Sequence, residues 1–135
     1  MRKDLLREFT LTIYGNPISK KNSQRLVPVK GRIIPLPSKA YAEYEANAKG
    51  QLLGQIGEPE IDYPVNISCV YYMGTRRKCD LVNMIEASLD ILVKARVIAD
   101  DNYTIVARHD NCGVFYDKVN PRVEVTITEL LTFEP

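Results

Sequence analysis

Residues 76–101 constrain this chain more than any other stretch. A basic triplet, Arg76-Arg77-Lys78, runs through Cys79 into an acid, Asp80, and a second acidic pair, Asp100-Asp101, closes the stretch. Between them, at about 100° per residue, Leu81, Ile85, Leu89 and Leu92 cluster in one arc, with Val82 and Met84 at its edges. Asn83, Glu86, Asp90 and Lys94 fall on the opposite side. This spacing predicts an amphipathic helix. Asp80 stands where an N-cap belongs, its carboxylate able to accept a first-turn N–H.

Two readings of this stretch compete. In the chemical one, two acidic points are joined by a rigid element, with cations just outside the first. That suits phosphodiester chemistry: carboxylates hold Mg²⁺, the ion polarises phosphate and lowers the pKa of water, and Arg and Lys hold the polyanion. In the bland one, Asp80 is only a cap, Asp90 and Lys94 are an i,i+4 pair on a wet face, and Asp100-Asp101-Asn102 is a turn. The basic triplet beside the first acid favours the chemical reading.

Charge distribution adds to it. The net charge of +1 says nothing about nucleic acid, but from Phe9 to Ala42 there is no acid at all. The same segment holds Lys20, Lys21, Arg25, Lys30, Arg32 and Lys39, so the rest of the chain is net acidic. One basic stretch on an acidic chain points to a specific anionic partner. Within it, Ile18 to Arg25 is a donor-rich loop suited to phosphate contact.

Other classes are disfavoured. At 135 residues, one domain spanning 1–135 is expected. Three cysteines (Cys69, Cys79, Cys112) at irregular spacing and a single His109 argue for reduced thiols and against zinc. There is no apolar run of membrane-spanning length, and Met1 to Glu8 lacks a signal peptide's apolar stretch. The expectation is a cytoplasmic protein without a membrane segment.

In order, the chain predicts a half-buried strand at 8–14, then a hairpin at 26–36 turning at Lys30-Gly31. Pro28 and Pro35 confine that hairpin to a sheet edge. A helix opens at Ser38 and closes at Gly54, and a central strand covers Pro64 to Met73. The long helix follows, then a strand at 103–108, an irregular loop at 109–120 and a last strand from Pro121. This order predicts an α+β single domain, with a mixed sheet and two main helices packed on one face.

Several of these stretches together resemble the RusA family of Holliday junction resolvases. They are Gly15 to Ser23 (Gly-x-Pro-x-Ser-Lys-Lys-Asn-Ser), the basic triplet before Asp80-Leu81-x-Asn83, the helix with Leu89-Asp90-x-Leu92, Asp100-Asp101, and Pro121 to Val125. The resemblance implies a homodimeric endodeoxyribonuclease that nicks two opposed strands of a four-way DNA junction. It implies Mg²⁺ as cofactor (Mn²⁺ able to substitute), no small-molecule cofactor, and the phage or prophage genes common in the family. Asp80, Asn83 and Asp101 match the family's core motif. Val82 stands where that motif has a second Asp, and Glu86 stands where it has a Lys.

Carried over, Asp80 and Asp101 are the catalytic metal ligands. Glu86 replaces the missing acid from the polar face it shares with Asn83, and Asp100 or Asp110 can add a further oxygen. Val82 is expected to pack at the edge of the apolar arc. Lys20, Lys21, Asn22 and Arg25 flank the cut on one side, and Arg76, Arg77 and Lys78 on the other. The alternative is a junction- or nucleic-acid-binding protein that has lost its chemistry with Val82. A third reading is a plain interaction domain whose acids are caps and turns.

Overall fold

The computed structural model describes residues 6–20, 24–56 and 59–131. Its frame is set by three strands with period-2 burial: β1 (Glu8–Tyr14), β4 (Val65–Met73) and β7 (Arg122–Glu129). Leu11 and Ile13, then every odd residue of β4, then Val123, Val125 and Ile127 are buried on one face. Thr10, Thr12, Ser68, Tyr72, Glu124 and Thr126 alternate onto the other. The register aligns these sets, with Leu11 opposite Val125 and Cys69 opposite Val125 on the far side. One apolar face per strand is thus gathered into one core, and each fully buried Ile, Leu or Val contributes roughly 1.5–3 kcal/mol.

Strand order is β1-β7-β4-β5, with β6 also paired to β4. β7 is antiparallel to both neighbours, whereas β5 (Val106–Arg108) and β6 (Gly113–Tyr116) run parallel to β4. The sheet is therefore mixed, with β4 central. Two helices, α1 (Lys39–Leu53) and α2 (Leu81–Lys94), cover its apolar face. The expected α+β architecture is observed.

α1 begins because Ser38 is extended and its hydroxyl accepts from Tyr41 N at 3.0 Å. It ends at Gly54 in the right-handed region, so a left-handed glycine cap is not what stops it. Its glutamines close the β1 edge. Gln55 and Gln51 side-chain amides each exchange two hydrogen bonds with the backbones of Thr12 and Tyr14. The amides imitate a neighbouring strand and block further pairing there.

Three expectations need correction. The hairpin, β2 (Gln24–Val29) and β3 (Arg32–Pro37), turns at Lys30 (φ 50) and Gly31 (φ 77) as expected, but it forms a separate two-stranded sheet. Proline kept it out of the main ladder altogether, and Leu26 and Ile33 remain exposed. The strand expected at 103–108 shrinks to β5, because Asn102 Oδ1 accepts from Thr104 N and folds 102–105 into a turn. The loop at 109–120 contains the unexpected strand β6, four residues without alternating polarity.

Candidate active site and nucleic-acid interface

The site grows from the end of β4. Beyond Met73 the chain must leave the sheet beside β7, and Gly74 makes this possible. A Cβ there would meet Pro121 Cγ at 3.0 Å and Asn16 Oδ1 at 3.3 Å. Asn16 Oδ1 also accepts from Gly74 N at 2.7 Å, while Gly15 (φ 117) donates its N–H to Pro121 O. The loop after β1 is thereby fastened to the exit of β4. Lys20 and the triplet Arg76-Arg77-Lys78 emerge from these two joined segments.

The triplet is exposed, and among the described residues none of its three cations forms an ion pair. The Arg76 guanidinium instead lies 3.9 Å over the Tyr116 ring. Lys20 is less free: its Nζ reaches Asp90 Oδ2 at 3.3 Å, and Lys94 Nζ reaches the same oxygen at 3.2 Å and Glu45 Oε2 at 2.9 Å. Partial burial works against ionised Asp90, but hydrogen bonds from Lys94 and Lys20 outweigh it and hold its carboxyl below the ordinary range. The same contacts, from Glu45 first, raise the pKa of Lys94. Lys21, Asn22 and the side chain of Arg25 lie outside the described residues.

Asp80 caps α2. It is extended (φ −87, ψ 120), and its Oδ1 accepts from Val82 N at 3.0 Å. It is also exposed, so the cap leaves the carboxylate open to solvent. All three bland features are present: this cap, the Asp90–Lys94 pair, and a turn at Asp100, whose carboxylate accepts from Asp101 N and Asn102 Nδ2. A cap and a chemical group are compatible roles for one carboxylate.

Val82 overturns its expectation. It is 68 % exposed and does not pack. The buried arc of α2 is Met84, Ile85, Ala87, Ser88, Ile91 and Leu92, centred on Ser88 rather than at the Leu81–Leu89 side. The shift has a cause in the core: Tyr71 from β4 reaches in to Ser88, their hydroxyls 2.7 Å apart. Rotation of the helix toward Tyr71 turns Val82 outward beside Glu86, which is exposed on the same flank.

The two acidic points are not brought together within one chain. The 14 residues of α2 carry the chain about 21 Å from one to the other. Asp80 stands where β4 exits. Asp100 and Asp101 follow Val97 and Ala99, which hydrogen-bond Ile61 ahead of β4, and they precede Ile105, whose carbonyl accepts from Val65 N. They therefore lie at opposite ends of the β4–α2–β5 unit. Among the described residues, no three His, Cys, Asp or Glu side chains converge in a way that could hold a metal ion.

Beside the triplet the structure adds residues that the sequence reading did not single out. Val114, Phe115 and Tyr116 of β6 are exposed apolar groups next to Arg76 and Arg77. The apolar run Gly113–Tyr116 inside an otherwise polar loop is their only sign in the sequence. Among the described residues no helix is long and apolar enough to cross a membrane.

An exposed basic run leading into an exposed acid at the end of a central strand marks a protein that handles a phosphate backbone. Comparison with known families names the class: the sequence profile of Endodeoxyribonuclease RusA matches residues 15–128. The Crossover junction endodeoxyribonuclease RusA of Aquifex aeolicus (strain VF5) is 31% identical over 97 residues, covering 72% of this chain and 75% of that relative. The chain belongs to the RusA family of endodeoxyribonucleases. Nucleases of this family depend in general on a divalent metal ion.

Proposed function

We propose that this nuclease resolves four-way DNA junctions by paired, symmetric nicks, working as a homodimer with Mg²⁺, which Mn²⁺ can replace. The observation that carries this reading is the exposed triplet Arg76-Arg77-Lys78 running straight into exposed Asp80, in a chain of this family. The candidate ligands are carboxylates, hard oxygen donors that suit Mg²⁺, which commonly takes only one or two carboxylates alongside waters and phosphate oxygens. Asp80, Asp101 and Asp100 would hold the ion, with Glu86 adding a carboxylate on the Val82 flank. When bound, the ion supplies a water of lowered pKa and a positive charge beside the phosphate.

The chain's own residues do the rest. Arg76, Arg77 and Lys78 hold phosphates on one side of the cut, and Lys20, Lys21, Asn22 and Arg25 on the other. These contacts fix register without reading sequence. Lys20 also exchanges its contact with Asp90 for one with DNA. Because Asp80 and Asp101 lie at opposite ends of α2, they can serve one phosphate only when two protomers contribute. A dimer is also what the substrate's approximate two-fold symmetry asks for.

Subunit mixing tests this. Asp80→Asn and Asp101→Asn, each alone, should abolish junction nicking and leave binding intact. Mixed in equal amounts, half the dimers pair one of each, and each such dimer keeps one intact site, so about a quarter of wild-type single-strand nicking returns without paired resolution. A dead mixture would place each site within one protomer. Wild-type cutting by either single variant would remove that residue from the chemistry.

A further inference from the structure

The open flank of the sheet carries a second recognition element. The β1 edge is closed by the amides of Gln51 and Gln55, whereas β6 pairs only with β4 among the described residues. Its side chains are apolar and open to water: Val114 is 44 % exposed, Phe115 57 % and Tyr116 42 %. With Met73, Thr75, Arg76 and Arg77 they line a shallow hollow of about 290 Å³, whose lining includes no carboxylate among the described residues.

The rings are already ordered. Phe115 stacks on Tyr72 with centroids 5.7 Å apart and planes 26° apart, and the Arg122 guanidinium lies 3.9 Å from the Tyr72 centroid. Arg122 is itself held by Asp117 at 3.1 Å and Glu124 at 2.8 Å. On the other side of the strand, Arg76 lies 3.9 Å over Tyr116. Flat aromatic and guanidinium surfaces, fixed in advance and bordered by Arg77, which forms no ion pair among the described residues, suit a flat, polarisable group on a polyanion. A nucleobase on its phosphodiester strand has both properties. A fully paired duplex hides those base faces, and a branch point offers them.

We infer that the β6 flank, on the face where Arg76 lies over Tyr116, takes up an unstacked nucleobase at the branch point of the junction, so that junction structure is read by stacking. The inference rests on the junction reading above. It assigns to Arg76 a stacking role besides phosphate contact. Preordered rings lose little freedom when the base docks, which favours the bound state.

The test uses the full-length protein and a four-way junction carrying 5-iododeoxyuridine at single positions, with EDTA present to prevent cutting. Irradiation should crosslink the branch-flanking positions, and not the arms, to the tryptic peptide His109–Lys118. In Phe115→Leu/Tyr116→Leu that crosslink should vanish. The junction dissociation constant should rise about tenfold while duplex affinity is unchanged. Both positions are substantially exposed, and a thermal melt verifies that the variant folds.

Crosslinks only from arm positions, or only to other peptides, overturn the inference, as does a double variant with unchanged junction preference. Sedimentation of both proteins is the third arm. If wild type is dimeric and the variant monomeric, the β6 edge is a subunit interface and the base site is refuted. A bound junction without a branch-point crosslink refutes this inference alone. Absence of junction binding by the wild type refutes the junction reading with it.

Discussion

Asp80 is an N-cap in the structure and a metal ligand in the proposed function, and substitution can separate the two. Its Oδ1 accepts one hydrogen bond, from Val82 N at 3.0 Å, and this is the cap. The same carboxylate follows the basic triplet, and in the proposed function it holds the metal ion. Asn preserves the acceptor geometry and ranks with Asp as an N-cap, whereas Ala removes both. The cap is solvent-exposed, so the orphaned N–H can be rehydrated, and its loss should cost about 1 kcal/mol, in the lower half of the usual range for N-caps. For a domain of this size that corresponds to about 4 °C in Tm. Asp80→Ala should therefore melt about 4 °C below wild type and Asp80→Asn within about 1 °C of it. Both should fail to nick a junction in Mg²⁺, while gel shift without metal shows binding as tight as wild type or tighter, since a negative charge beside phosphate is gone. Differential scanning fluorimetry and a nicking assay on the same preparations read the two roles. Nicking by Asp80→Asn at the wild-type rate would reduce Asp80 to a cap, whatever the melting curves show.

Further outcomes follow from other positions. Val82→Asp should be well tolerated, because Val82 is 68 % exposed, and an acid in the first turn of α2 gains about 0.3–1 kcal/mol from the helix dipole. With the family's second acid restored, nicking should rise, and a drop in Tm would contradict the outward placement of this side chain. Gly74→Ala should destabilise by about 1–3 kcal/mol, because its Cβ would stand 3.0 Å from Pro121 Cγ, and a loss under about 0.5 kcal/mol would show that Pro121 yields freely. Asp90→Asn should weaken stability in a pH-dependent way. The folded pKa of Asp90 is depressed, partial burial being outweighed by Lys94 and Lys20, so its contribution is present above the unfolded value of about 3.9 and lost as pH falls through the folded value. The Tm difference from wild type should hold from neutral pH down to about pH 5 and close below about pH 4. A gap that persists in acid would assign the effect to packing.

The elements legible in the sequence are those whose residues report their own surroundings. Period-2 alternation in β1, β4 and β7 and the Ser38 and Asp80 caps appear where expected, because each reflects a local geometric need. The turn at Lys30-Gly31 does as well, both residues having positive φ. The family's short motifs were also readable, since their order and separation survive even where Val82 and Glu86 depart from the pattern.

Tertiary structure decided the remainder. Which arc of α2 is buried depends on Tyr71 reaching Ser88 from a strand seventeen positions earlier, and a helical wheel contains no such partner. The four residues of β6 form a strand only because β4 offers them its free edge. Above all, sequence spacing places Asp80 and Asp101 on one helix-linked stretch, while a helix is a rigid spacer that holds its two ends apart. Local chemistry along the chain named the acids and cations; whether they meet depends on how β4, α2 and β5 pack, and in one protomer that packing sets the two acidic points at opposite ends.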